Sequence, residues 1–211
     1  IDRSQRIREV GQLGTLAAGG LVTSLAALAN EPIYYNWEWQ RDQRMAAERD
    51  RVTVIPLARA QTAHDTIDVD VNLPPADELA RYDTMEVDLA MECPHHRDGE
   101  CGAWDYLSGL QLCGDAGDGG ADPDAGPSCT TELARWITPY WREGRWVTDV
   151  SGMLALLQGG GKTRMRWWAS GQFDPRKTNY TVSLSLRLSN HGKGRRPTRA
   201  IPLWTGGDRK S

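Results

Sequence analysis

Thr66 to Val71 reads TIDVDV, and the same alternation returns in Met85 to Leu89, MEVDL, and in Thr181 to Leu188, TVSLSLRL. Apolar residues at every second position share one face of an extended strand and form no coherent stripe on a helix. These runs therefore commit the chain beyond residue 50 to strands with one buried face. Further strand candidates are 51–57, 104–112, 131–138, 144–148, 162–169 and 198–204, about nine short strands in all. Pro, Gly and Asp punctuate them, as in Pro74-Pro75 and Gly159-Gly160-Gly161. No strand–helix–strand rhythm is present, which excludes a parallel sheet. The expected domain over residues 51–211 is all-β: an antiparallel two-sheet sandwich, jelly-roll (about eight strands) or Ig-like.

The N-terminal part has a different character. Residues 12–29 carry no charge and contain the run LGTLAAGGLVTSLAALA, which at about 1.5 Å per residue barely covers a bilayer core of about 30 Å. Arg3, Arg6 and Arg8 precede it, and Tyr34, Tyr35, Trp37 and Trp39 follow it. One reading is a secretory signal cleaved after Ala27-Leu28-Ala29. The other is a single-pass anchor over residues 1–35, arginines in the cytoplasm and the aromatic residues at the outer interface. The aromatic cluster favours the anchor, and Ala17, Gly20 and Ser24 then form a small-residue face for a partner helix. A buried soluble helix is the plain alternative. Asn36 to Asp50, NWEWQRDQRMAAERD, is charged and helix-permissive, and reads as a stalk between anchor and sandwich.

All four cysteines, at 93, 101, 113 and 129, fall in one short window with Gly and Asp between them. The even number and tight clustering point to two disulfides and an oxidising compartment. Neighbour pairing, Cys93 with Cys101 and Cys113 with Cys129, is expected among the three pairings open. Zinc is the rival, but neither C-x-x-C nor H-x3-H spacing occurs. The balance of 25 basic against 28 acidic residues excludes the basic face of a nucleic-acid binder. Nine Trp against one Phe favour ring-lined clefts or membrane interfaces.

Three stretches resemble one known family. They are the cysteine loop closing on Cys101-Gly-Ala-Trp104-Asp105, the run Glu132-Leu-Ala-Arg-Trp-Ile-Thr-Pro-Tyr-Trp141, and Trp146-Val-Thr-Asp-Val150 with Leu156-Leu157 after it. Over about residues 60–205 the chain is similar to the N-terminal domain of the peptide-N-glycosidase F family, bacterial amidases that remove N-glycans from asparagine. The resemblance implies an eight-stranded jelly-roll, with Asp105 at the position of the family's principal catalytic carboxylate. Trp104, Tyr106, Trp167 and Trp168 are candidates for a substrate or partner surface; adjacent residues on a strand face opposite ways, so Trp167 and Trp168 cannot both point inward. Three departures accompany it. Tyr106 stands where the family usually has an arginine, no acid occurs in RMRWWAS (164–170) where a supporting glutamate is expected, and the family's second jelly-roll has no counterpart in these 211 residues.

Other motifs carry weaker chemistry. Asp115, Asp118, Asp122 and Asp124 sit in a Gly/Pro-rich loop that could hold calcium, though without the D-x-D-x-DG spacing; no other cofactor is expected. His95-His96 could ligate a metal beside an acid, with a surface pair as the plain reading. Asn179-Tyr180-Thr181 fits a glycosylation sequon. Gly159-Gly-Gly-Lys162-Thr163 lacks the first glycine of a phosphate loop and leads into a strand, so it is rejected. The functional expectation is a membrane-anchored jelly-roll on the periplasmic side of the cell membrane. It would serve as a structural or interaction subunit of a larger membrane assembly rather than as a catalyst. An amidase or a glycan-binding module is the alternative.

Overall fold

The computed structural model describes residues 37–97, 99–102, 105–114, 128–170 and 179–201. The chain divides between Arg51 and Val52 into two units. In the first, residues 37–47 form a helix. Pairs within it support the helix: Arg44 with Glu48 one turn on, and the Arg41 guanidinium 5.4 Å from the centre of the Trp37 ring. Trp37 and Trp39 are exposed. No helix among the described residues is long and apolar enough to cross a membrane. The expected anchor over residues 1–35, including Tyr34 and Tyr35, lies outside them.

The second unit is a β-sandwich of eight strands: β1 (Val52–Ala63), β2 (Thr66–Pro75), β3 (Thr84–Glu92), β4 (Leu107–Cys113), β5 (Cys129–Ile137), β6 (Gly144–Asp149), β7 (Gly160–Ala169) and β8 (Tyr180–Ser189). One sheet has the order β1-β8-β3-β6 and the other β2-β7-β4-β5, with every neighbouring pair antiparallel. This interleaved order is that of a jelly-roll. The ninth expected strand, 198–204, does not form within its described part: residues 198–201 are irregular.

Strand chemistry explains the order. β3 and β8, central in their sheet, alternate strictly, and Met85, Val87, Leu89 and Met91 face the core with Val182, Leu184, Leu186 and Leu188. From the other sheet Ile67, Val71, Leu110, Met165 and Trp167 close on them. Prolines fall only on edge strands, Pro56 on β1 and Pro74-Pro75 on β2, where a missing N–H breaks no ladder. The indole N–H of Trp136 on β5 donates to Thr148 Oγ1 on β6 at 3.0 Å, joining the edges of the two sheets. Gly160 opens β7 with φ +61, and a Cβ there would run into the Pro74 carbonyl. Only glycine fits that turn.

Register sorts the connections to two ends. Ala63 pairs with Tyr180, Glu92 with Thr181 and Met91 with Gly144 in one sheet; Leu107 pairs with Ile137 and Ser108 with Ala169 in the other. The links β1–β2, β3–β4, β5–β6 and β7–β8 therefore leave from the same end. Both expected disulfides form, and β4 separates them: Cys93–Cys101 lies at this end and Cys113–Cys129 at the other, about 20 Å along the strand.

At that other end Asp83 ties down the chain after β8. Burial by itself would raise its carboxyl pKa. The N–H groups of His191 (2.9 Å) and Lys193 (2.7 Å) and the Thr84 hydroxyl (2.8 Å) outweigh that, and with the Lys193 charge they hold it at about 2. A carboxyl whose pKa falls on folding contributes stability that is present above its unfolded value, near 4, and is lost as pH falls toward the folded one. Asp83→Asn is therefore expected to flatten the loss of stability between pH 4 and about 2. Urea unfolding at several pH values checks this, and parallel curves for variant and wild type would refute it.

Candidate functional site

The end that carries Asp105 is laced by backbone bonds between the β3–β4 and β5–β6 connections. Gly99 N–H donates to the Trp141 carbonyl at 2.8 Å, and Trp141 N–H to the Gly102 carbonyl at 3.1 Å. Tyr106 N–H donates to Thr138 Oγ1 at 2.8 Å while Thr138 N–H donates to the Tyr106 carbonyl at 2.7 Å. Thr138 is buried, so this reciprocal clamp is shielded from water. The Cys93–Cys101 bond closes the loop upstream of it.

Asp105 therefore stands on a fixed backbone two residues before β4, with its side chain exposed. It takes no hydrogen bond from any described residue. Tyr106 is half-buried beside it, and Trp104 lies outside the described residues. The Tyr140 and Trp141 rings stack at this end, centroids 6.0 Å apart, with Tyr140 exposed. Leu107 and Ile137, opposite each other on β4 and β5, are exposed too.

Trp167 and Trp168 part company, as neighbours on a strand must. Trp167 is 0 % exposed and fills the core, so it lines no surface. Trp168 faces outward and lies over Gly109 of β4, where a Cβ would come within 2.6 Å of its indole nitrogen. The outward positions of β7 next to it are Arg164 and Arg166 rather than acids. Each is in register with a carboxylate of β2, Asp70 and Asp68 respectively, and bonds it. These hydrogen bonds, which outweigh burial, hold both carboxyls below the usual range and raise both guanidinium pKa values. Carboxylates held ionised in this way are poor proton donors.

Sequence reasoning missed Glu143. It sits at the end of the β5–β6 connection with its side chain 3 % exposed. Its Oε1 accepts the Cys93 N–H and meets His96 Nδ1, both at 3.1 Å. A glutamate before a strand carries no sequence signal; only the jelly-roll crossing brings it against residues 93–96. His95 Nδ1 meets Glu100 Oε2 at 3.0 Å on the outside of the same loop. Among the described residues no three His, Cys, Asp or Glu side chains form a group that could hold a metal. The aspartates considered for calcium, Asp115, Asp118, Asp122 and Asp124, lie outside the described residues. That loop springs from the end of β4 away from Asp105, where Gly114 N–H donates to the Ser128 carbonyl at 2.9 Å.

No protein-family model matches the chain, and no curated protein does. Among solved structures it is similar to PNGase F, described as a glycosylasparaginase from Flavobacterium meningosepticum: 16 % identity over 66 % of this chain and 42 % of that one, TM-score 0.49. Equal values are found against a peptide-N(4)-(N-acetyl-beta-D-glucosaminyl) asparagine amidase. PNGF-II is similar at 14 % identity, with 66 % of this chain, 34 % of that one and TM-score 0.46. The chain thus spans less than half the length of these proteins. The likeness is one of fold, and the strand order above stands without it.

Proposed function

We propose that this sandwich contributes a glycan-directed amidase site, with Asp105 as its acid/base carboxylate. The placement of Asp105 carries the reading. A turn-anchoring aspartate engages neighbouring N–H groups, whereas Asp105 bonds no described residue and is exposed on a backbone clamped by Thr138 and the Cys93–Cys101 loop. Support also comes from the sequence resemblance of residues 101–105, 132–141 and 146–150 to the peptide-N-glycosidase F family. Hydrolysis of an amide needs a group that takes a proton from water and returns one to the departing nitrogen. The exposed Tyr140 ring, at the same end of the sandwich as Asp105, offers a flat apolar face to a sugar.

Release of glycan from a denatured N-glycopeptide tests this. Asp105→Asn is expected to lower kcat/KM by about a hundredfold or more. No release by the wild-type protein, even at high concentration, would overturn the amidase reading. A second reading, an interaction subunit of a membrane assembly, draws on the exposed Leu107–Ile137 pair at the β4–β5 edge. On that reading the wild type releases no glycan and stays with other membrane components through purification.

A further inference from the structure

We infer that His96, oriented by the buried Glu143 carboxylate, is a second proton carrier at the Asp105 end of the sandwich. This deepens the amidase reading and rests on it for the identity of the substrate. An ionised carboxylate can only accept, so the 3.1 Å contact with Glu143 Oε1 places a proton on His96 Nδ1. Nε2 is then the working nitrogen, and it meets no described residue. The ring is 60 % exposed while the Glu143 side chain is 3 % exposed, so the orienting charge is dry and the exchanging nitrogen is wet. Glu143 Oε2 is buried with no hydrogen-bond partner among the described residues, which leaves the carboxylate's charge directed at His96 and the Cys93 N–H. Nucleophile-activating histidines are held by a carboxylate in the same manner.

His95 provides the contrast. Its partner Glu100 is itself part-exposed and shared with Arg97 at 3.6 Å, so water screens that pair. His95 and His96 both have φ +55, a left-handed conformation that is strained for a residue with a Cβ. The disulfide and the bonds to Trp141 hold the loop in this form. Among the described residues, the charged or titratable side chains of the two connections that meet at His96 are Arg142 and Glu143 on the β5–β6 side, and His95, Arg97, Glu100 and Asp105 on its own.

In the reaction Asp105 takes a proton from water as the water oxygen bonds to the amide carbon. The C–N bond then breaks, and His96 Nε2–H gives its proton to the departing nitrogen. Transfer of the proton from Asp105 back to His96 restores both groups.

Two measurements on the full chain decide this. The first is acylation by diethyl pyrocarbonate, located by peptide mass mapping, which reads Nε2 whether or not the substrate is right. Glu143→Gln is expected to slow modification of His96 by about tenfold and leave His95 unchanged. Equal rates at His96 in variant and wild type would overturn the inference. The second is the rate of glycopeptide cleavage. His96→Gln is expected to lose about a hundredfold in kcat/KM, with His95→Gln as the unaffected control. A wild-type kcat/KM from His96→Gln would overturn the inference. No cleavage by the wild type overturns the amidase reading and this role for His96, and the acylation rates then still show whether Glu143 orients the ring.

Discussion

Trp167→Ala is expected to destabilise the sandwich by about 3–5 kcal/mol, enough to unfold a domain of ordinary stability at moderate denaturant. Trp167 is fully buried between Leu110 and Ile67, its neighbours across β4 and β2. Removing the indole opens a cavity that strands bonded on both sides cannot collapse to fill. Trp167→Phe separates volume from polarity. The indole N–H is buried and bonds no described residue, so phenylalanine gives up some packing but removes an unsatisfied donor. The Phe variant should therefore lose less than about 1.5 kcal/mol. Urea midpoints at neutral pH measure both, and an alanine variant within 1 kcal/mol of wild type would contradict this account of the core.

Removal of the Cys113–Cys129 bond ranks next. The cysteines lie directly opposite each other where β4 ends and β5 begins, 16 residues apart in sequence. In the chain-entropy model, closing a loop of about 15 residues is worth about 3 kcal/mol, through the unfolded state. The Cys113→Ser/Cys129→Ser double variant should lose that amount. It should keep Asp105 and its clamp intact, because β4 carries the two disulfides to opposite ends of the sandwich. A loss of glycopeptide cleavage by this variant under conditions where it remains folded would contradict the separation of the two ends. Free thiols at Cys113 and Cys129 in the native protein would contradict the bond itself.

Much of this was written locally. Alternation marked β2, β3 and β8 because a strand's two faces meet different solvents, and that pattern needs no partner to be visible. The rule that neighbours on a strand point apart settled that Trp167 and Trp168 could not both be core. Close spacing made neighbour pairing of the cysteines the natural choice. Beyond residue 198 the same logic failed, since a run of strand-prone residues forms a strand only where an open edge accepts it, and residues 198–201 pair with none. The clamp of Tyr106 by Thr138, the neutralisation of Arg164 and Arg166 by Asp70 and Asp68, and the contact of Glu143 with His96 join residues 32, 94, 98 and 47 positions apart. Local pattern carries no record of such pairs. They exist because the jelly-roll brings alternate connections to one end and sets strands distant in sequence in register, and only the folded chain decides which charges meet there.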